Sequence, residues 1–336
     1  MEHKTDKLIS ALSQMYFYEE LHLEDLCYFP RENPEGNLPD LVLNLGNSMV
    51  MIKIECCPRG ADQKDWVREI CGSQRLAMQN ILSRVLEGSL PELYNRKGEP
   101  AHLAKQLSAF PILILHGISQ DTEYPALLEK YSPEALIVNC MRLEDFQRAC
   151  GTLTMPMELM HFLYYRACFY GDLSTVTKAF QRKIEKEQTI SEVDLMYEFL
   201  AEKYSYYPSN PAKFRLEEFR EFLRILPTEK VLSFNKTYMD VIRFLTHLSR
   251  SEVSAFMERI EMLTEETKRG SGGLLSSLRP KDDRYAIFFA AKQAFPLPVL
   301  REMIYGCDRV RQVLEVVGRK EADGTLAVEF ELTDHF

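Results

Sequence analysis

The sequence predicts an α/β domain at the N-terminus, a mixed sheet flanked by helices, followed by a mostly helical C-terminal region that ends in a β-hairpin. Three observations carry this expectation. Residues 40–55 alternate side-chain character on either side of Gly46-Asn47, the pattern of two strands joined by a tight turn. A helical run and then a strongly apolar run follow, giving strand–helix–strand order, which crosses over right-handedly. Beyond Gly151 helical spacing dominates, until Asp323-Gly324 separates two alternating runs near the end of the chain.

The first strand puts Leu41, Leu43 and Leu45 on one face and Asp40, Val42 and Asn44 on the other. The second puts Met49, Met51, Lys53 and Glu55 on one face and Val50, Ile52 and Ile54 on the other. A two-residue loop pairs Leu45 with Ser48, and counting outward sets Asp40 opposite Lys53 with Glu55 on the diagonal. Opposite side chains lie about 5 Å apart and diagonal ones roughly 7–8 Å, so the three charged residues share one face near the open end.

Residues 5–20 carry Leu8, Leu12, Met15, Tyr16 and Phe17 at helical spacing. A helix is expected from Trp66 to Leu86, a buried strand from Phe110 to His116, and a further strand from Glu134 to Cys140. Helices are then expected over 156–170, 173–186, 191–204, 214–226 and 251–267, with Ser191 as an N-cap. Residues 204–211 read as a break between helices. The stretch from Lys268 to Lys281 is rich in Gly and Ser and reads as a flexible basic linker; its Lys268, Arg269, Arg279 and Lys281 are candidate phosphate contacts. The expected organisation is an α/β domain over 1–150, a helical domain over 151–267, the linker over 268–283, and helices plus a terminal hairpin over 284–336, the hairpin packing on the helical region.

Composition bounds the function. At 46% hydrophobic and 27% charged residues the chain is an ordinary globular protein. No stretch approaches the ~20 apolar residues of a membrane span, and the polar start is unlike a signal peptide, so a cytoplasmic location is expected. The eight cysteines show no metal-ligand spacing and read as free thiols. Net charge is −9, and residues 1–150 hold 15 basic against 22 acidic side chains. A nucleic-acid partner would therefore need a local basic lining.

Pro39-Asp40, a hairpin, and a carboxylate and a lysine spaced by one residue on its second strand resemble the PD-(D/E)XK phosphodiesterase superfamily. The order of elements is similar to its nuclease-related-domain branch, and to its recombination-promoting branch, whose third strand also ends in His-Gly as His116-Gly117 does here. The likeness covers about the first 150 residues. It implies a restriction-endonuclease-like fold and a Mg²⁺- or Mn²⁺-dependent DNA nuclease of a prokaryotic defence or mobile-element type. It further implies Asp40 and Glu55 as metal ligands, Lys53 as the catalytic partner of phosphate or water, and Glu20 (or Glu19) and Gln74 as accessory residues.

The chain departs from that pattern, because Lys53-Ile54-Glu55 reverses the family's acid-x-Lys. The reversal keeps both residues on one face but moves the acid about 6.5–7 Å along the strand. It also sets Lys53 opposite Asp40, where it can neutralise the carboxylate without a metal. Two readings stay open: a nuclease with a displaced acid, and an inactive pseudonuclease kept as a protein- or nucleic-acid-binding or assembly module, alone or as a homo-oligomer.

Overall fold

The hairpin expected over residues 40–55 forms in the register that its alternation predicts. A computed structural model of the protein describes residues 2–31, 38–46, 48–87, 92–101, 108–128, 137–171, 190–205, 214–226, 238–270, 273–278, 284–290, 312–320, 324 and 326–334. Strand β2 (Leu41–Asn44) pairs with β3 (Ser48–Cys56) so that Leu41 faces Ile52 and Asn44 faces Met49. The Leu45 N–H donates to the Ser48 carbonyl at 2.9 Å, and Gly46 turns the chain at φ 90°, a conformation that glycine adopts without a Cβ clash. One step beyond the strand, the Asp40 N–H donates to the Ile52 carbonyl at 2.8 Å, which sets Asp40 beside Lys53.

The chain divides into two compact units, Met1–Pro208 and Ser209–Phe336. The first is built on a six-stranded mixed sheet of order β4-β1-β2-β3-β5-β6. Strand β1 (Cys27–Pro30) pairs antiparallel with β2 and with β4 (Leu93–Tyr94), while β5 (Ser108–His116) and β6 (Asn139–Arg142) continue parallel from β3. Short bridges lie alongside the outer strands: Tyr94 to Pro100, and Leu127 to Asn139.

Helix α1 (Glu2–Leu12) buries Leu8, Ala11 and Leu12. Helix α2 (Gln63–Leu86) starts where the Asp62 carboxylate accepts the N–H groups of Lys64 and Asp65, satisfying two of the helix's orphan donors. Its inner stripe of Val67, Cys71, Met78 and Ile81 is buried on the sheet face that carries Met49 and Met51, following the 3.6-residue period. Gln74 lies on that same stripe.

Helices α3 (Leu143–Thr152), α4 (Pro156–Gly171) and α5 (Glu192–Tyr204) also belong to the first unit. Arg166 of α4 is fully buried and binds the Glu192 carboxylate at 2.6–3.0 Å, the carbonyls of Ala126 and Cys140 at 2.7 and 2.8 Å, and Asn139 Oδ1 at 3.0 Å. That network joins α4 and α5 to β6. It explains why the expected boundary at residue 150 moves to 208: α4 packs on β5 and β6, and α5 packs on α3 and α4.

The second unit holds α6 (Leu216–Ile225), α7 (Tyr238–Thr246), α8 (Arg250–Arg269) and a sheet of order β10-β9-β8-β7. The predicted hairpin is β9 (Gln312–Lys320) with β10 (Leu326–Asp334). It is half of a larger sheet rather than a lone ribbon on helices, because β8 (Arg284–Ala290) pairs parallel with β9 and antiparallel with β7 (Gly273–Leu278). The expected linker is therefore the last turn of α8 followed by a strand whose Gly and Ser residues hide its β character. Phe219, Phe222, Phe256, Phe288 and Phe330 form the aromatic core of this unit, at centroid distances of 5.4–6.1 Å. Gly318 lets α8 lie on β9, since a Cβ there would stand 2.3 Å from Thr267 Oγ1.

Two other expectations shift. The first helix ends at Leu12, and Met15, Phe17 and Leu21 are buried by successive turns instead of further helix. Of the strand expected over 134–140, residues 134–136 lie outside the described residues, and β6 runs over Asn139–Arg142. The expected helix over 173–186 lies outside the described residues, as do Arg279 and Lys281. Among the described residues, no helix is long and apolar enough to cross a membrane.

Candidate active site

The sheet face under α2 is apolar along most of β2 and β3 and turns charged at one end. Lys53, only 2% exposed, stands at that change. Its ammonium donates to the Leu38 carbonyl at 3.0 Å and lies 3.9 Å from Asp40 Oδ2 and 4.0 Å from Glu55 Oε1. It therefore sits between two carboxylates. Asp40 Oδ2 also accepts the Ile54 N–H at 2.9 Å, so the hairpin's own backbone fixes the carboxylate's position.

Glu55 has two further partners. Gln74 of α2 donates its amide to Oε1 at 3.0 Å, and Lys4 of α1 donates to Oε2 at 3.0 Å. Asp40, Lys53, Glu55 and Gln74, all candidates from the sequence, thus converge. Lys4 is the member that sequence reasoning missed. Its signal was faint: Lys4 precedes Leu8 by one helical turn and lies on the buried stripe of α1, where a long side chain can follow the apolar surface to the cluster.

Glu20, expected on the first helix, lies in the turns after it; α1 contributes a cation to the cluster rather than an acid. His116 closes β5 with its Nδ1 buried and unpartnered, and its carbonyl accepts the Cys57 N–H at 2.8 Å. Burial lowers its pKa, with Lys7 adding to the shift. Lys268 and Arg269 form the last turn of α8 in the second unit and pair with Glu265 and Glu266 at 2.7 and 2.6 Å.

The electrostatics follow from burial. Desolvation raises the Asp40 pKa, against the pull of Lys53 and the Ile54 N–H. Desolvation likewise lowers the Lys53 pKa, against the two carboxylates that favour its charge. Burial works against the Lys4 charge, but the Glu55 hydrogen bond and nearby carboxylates outweigh it and raise that pKa. The cluster holds two carboxylates and two ammonium groups in formal balance.

Whether a divalent cation fits is decided by the donor set. Among the described residues, no three His, Cys, Asp or Glu side chains gather as a metal group. Magnesium, however, takes one or two carboxylates and completes its shell with waters and substrate oxygens. Asp40 and Glu55 supply that number. Gln74 Oε1 is a buried oxygen without a hydrogen-bond partner in the same place, and a buried acceptor left unsatisfied costs about 1–3 kcal/mol. An oxygen-rich corner with an unmet acceptor fits a hydrated hard cation. The chain matches no family model, no curated protein and no solved structure, so this reading rests on geometry.

Proposed function

We propose that the chain is a Mg²⁺- or Mn²⁺-dependent DNA nuclease of the PD-(D/E)XK type, hydrolysing phosphodiester bonds at the end of the β2–β3 hairpin. The observation that carries this is the convergence of Asp40, Lys53, Glu55 and Gln74 on one sheet face, with Gln74 Oε1 unsatisfied. Asp40 and Glu55 would hold the cation. When bound, it would supply charge neutralisation for the phosphate and an acidified water.

The chain's own residues do the rest. Lys53, tied to the Leu38 carbonyl, keeps a fixed positive charge where negative charge develops on the phosphate. Lys4, with about a third of its side chain exposed, can leave Glu55 for a substrate phosphate. Gln74 Oε1 is an acceptor able to orient an attacking water. What supports the reading despite the reversed order Lys53-Ile54-Glu55 is that Asp40 and Glu55 both approach the Lys53 ammonium, at 3.9 and 4.0 Å.

A second reading is favoured by a separate observation: Lys53 and Lys4 already neutralise both carboxylates. On that reading the cluster is a structural ion network and the domain is a pseudonuclease, used for binding or assembly. The two part in one experiment. Wild type, Asp40→Ala and Glu55→Ala, each checked for native circular dichroism, are titrated with Mg²⁺ or Mn²⁺ on plasmid and single-stranded DNA. Metal-dependent cleavage lost in both variants supports the nuclease. Equal background cleavage by all three proteins removes it and leaves the binding module.

A further inference from the structure

The two carboxylates of the charged cluster are neutralised by ammonium groups that are held very differently. Lys53 is buried on β3 and bonded to the Leu38 carbonyl at 3.0 Å, so the sheet fixes its charge. Lys4 lies in the first turn of α1, its side chain is 32% exposed, and it donates to Glu55 Oε2 at 3.0 Å. We propose that Lys4 is a gate on the cation site: its ammonium holds the Glu55 oxygen that a divalent cation needs, and must leave before the cation can bind. The gate rests on the nuclease reading and adds how that site is opened and closed.

The partners of Glu55 divide its two oxygens. Oε1 accepts the Gln74 amide at 3.0 Å and lies 4.0 Å from the Lys53 ammonium, while Oε2 accepts the Lys4 ammonium. These partners differ in their freedom to withdraw. Taking Lys53 away would strand Asp40 as a buried carboxylate, which is strongly unfavourable. Gln74 comes from the stripe of α2 that packs on the sheet. Lys4 instead reaches the cluster from a partly exposed position on a flexible four-carbon stem, and a partly exposed pair of this kind is held weakly. Its ammonium can turn into solvent without moving α1.

Charge sets the direction of the effect. With Lys4 in place, two carboxylates face two ammonium groups, and a divalent cation would enter a neutral cluster. With Lys4 turned away, two carboxylates face Lys53 alone, and the one negative charge left over attracts a cation. A hard cation takes carboxylate oxygens directly, so an oxygen bonded to an ammonium must first give up that bond. Lys4 and the cation therefore compete for Glu55, and removing the competitor tightens cation binding. On this account the neutral network is the closed state of the site.

The full chain is titrated with Mn²⁺ in the absence of DNA, and free metal is read by electron paramagnetic resonance for wild type, Lys4→Gln, Lys4→Arg, Lys7→Gln and Asp40→Asn. Wild type is expected to bind Mn²⁺ at a site that Asp40→Asn loses. Lys4→Gln is expected to tighten that binding by about threefold to fivefold, the upper part of the range for a partly exposed ion pair. Lys4→Arg keeps the charge, and Lys7→Gln removes one from the next turn of α1; both are expected to stay within about twofold of wild type. Unchanged affinity in Lys4→Gln, or equal tightening in Lys7→Gln, overturns the gate, while Asp40-dependent binding leaves the nuclease reading standing. No Mn²⁺ bound by wild type or Lys4→Gln, or the same binding in Asp40→Asn as in wild type, overturns the gate together with that reading.

Discussion

Replacing Lys53 with methionine tests how the charged cluster is held. The substitution keeps an unbranched apolar stem and removes the ammonium that lies 3.9 Å from Asp40 and 4.0 Å from Glu55. At 3.9 Å and an effective dielectric of ~20, Coulomb's law gives about 4 kcal/mol for the Asp40 pair alone. The side chains are 2% and 6% exposed, so solvent screens little of this. Asp40 would be left as a buried carboxylate with the Ile54 N–H as its close partner, and breaking a buried pair in this way costs about 3–5 kcal/mol. Asp40→Asn/Lys53→Met removes both charges and should recover about 1–3 kcal/mol relative to the sum of the single variants. Urea unfolding followed by the single tryptophan, Trp66 on α2, reports the first unit selectively. Additivity of the two single variants to within about 0.5 kcal/mol would refute the buried pair.

Further outcomes are expected. Arg166→Ala should destabilise the first unit by about 3–5 kcal/mol, and Arg166→Lys should not restore it, because a point charge cannot make the forked set of bonds; urea midpoints read by Trp66 check both. Gly318→Ala should destabilise the second unit by about 1–3 kcal/mol through overpacking against α8, measured by far-ultraviolet circular dichroism, and an unchanged midpoint would contradict the close approach to Thr267. Asp40 gives a pH signature: its folded-state pKa is raised above 3.8 by burial. Its contribution to stability is therefore full below pH 3.8 and is lost as pH rises through the folded pKa. The stability of wild type relative to Asp40→Asn should fall across that window in pH-dependent urea unfolding, and a flat difference contradicts the raised pKa. Lys4→Gln should leave stability within about 1 kcal/mol, as for a partly exposed pair, while weakening DNA cleavage measured at saturating Mg²⁺.

The central hairpin was legible in the sequence because two local rules agreed. Alternation set the faces, and Gly46 set the turn, which left a single register for Asp40 and Lys53. Gln74 was named only through the family resemblance, which implies a glutamine on the helix after the hairpin; its position on the buried stripe of α2 is visible only in the structure. Lys4 was not legible, since its partner lies 51 residues away and one lysine near a helix start looks like a solvated one. Strands β7 and β8 were missed for opposite reasons. The Gly and Ser of 273–278 imitate a linker, while 285–290 is apolar at every position and so shows no alternation by which to recognise a strand. The boundary at 208 was hidden by Arg166, whose buried charge ties helices to a sheet through partners distant in the chain.

The bridges beside the outer strands of the first unit have a consequence for how it meets other molecules. On one side Tyr94 bridges Pro100, and on the other Leu127 bridges Asn139, where the Cys140 N–H donates to Ala126 and the Cys140 carbonyl accepts from Arg166. These partners occupy the backbone groups that an added strand would use. An exposed edge is what permits β-augmentation and edge-to-edge aggregation. At these two bridges, a ligand of the first unit would be recognised through side chains and surface shape, not by lengthening the sheet.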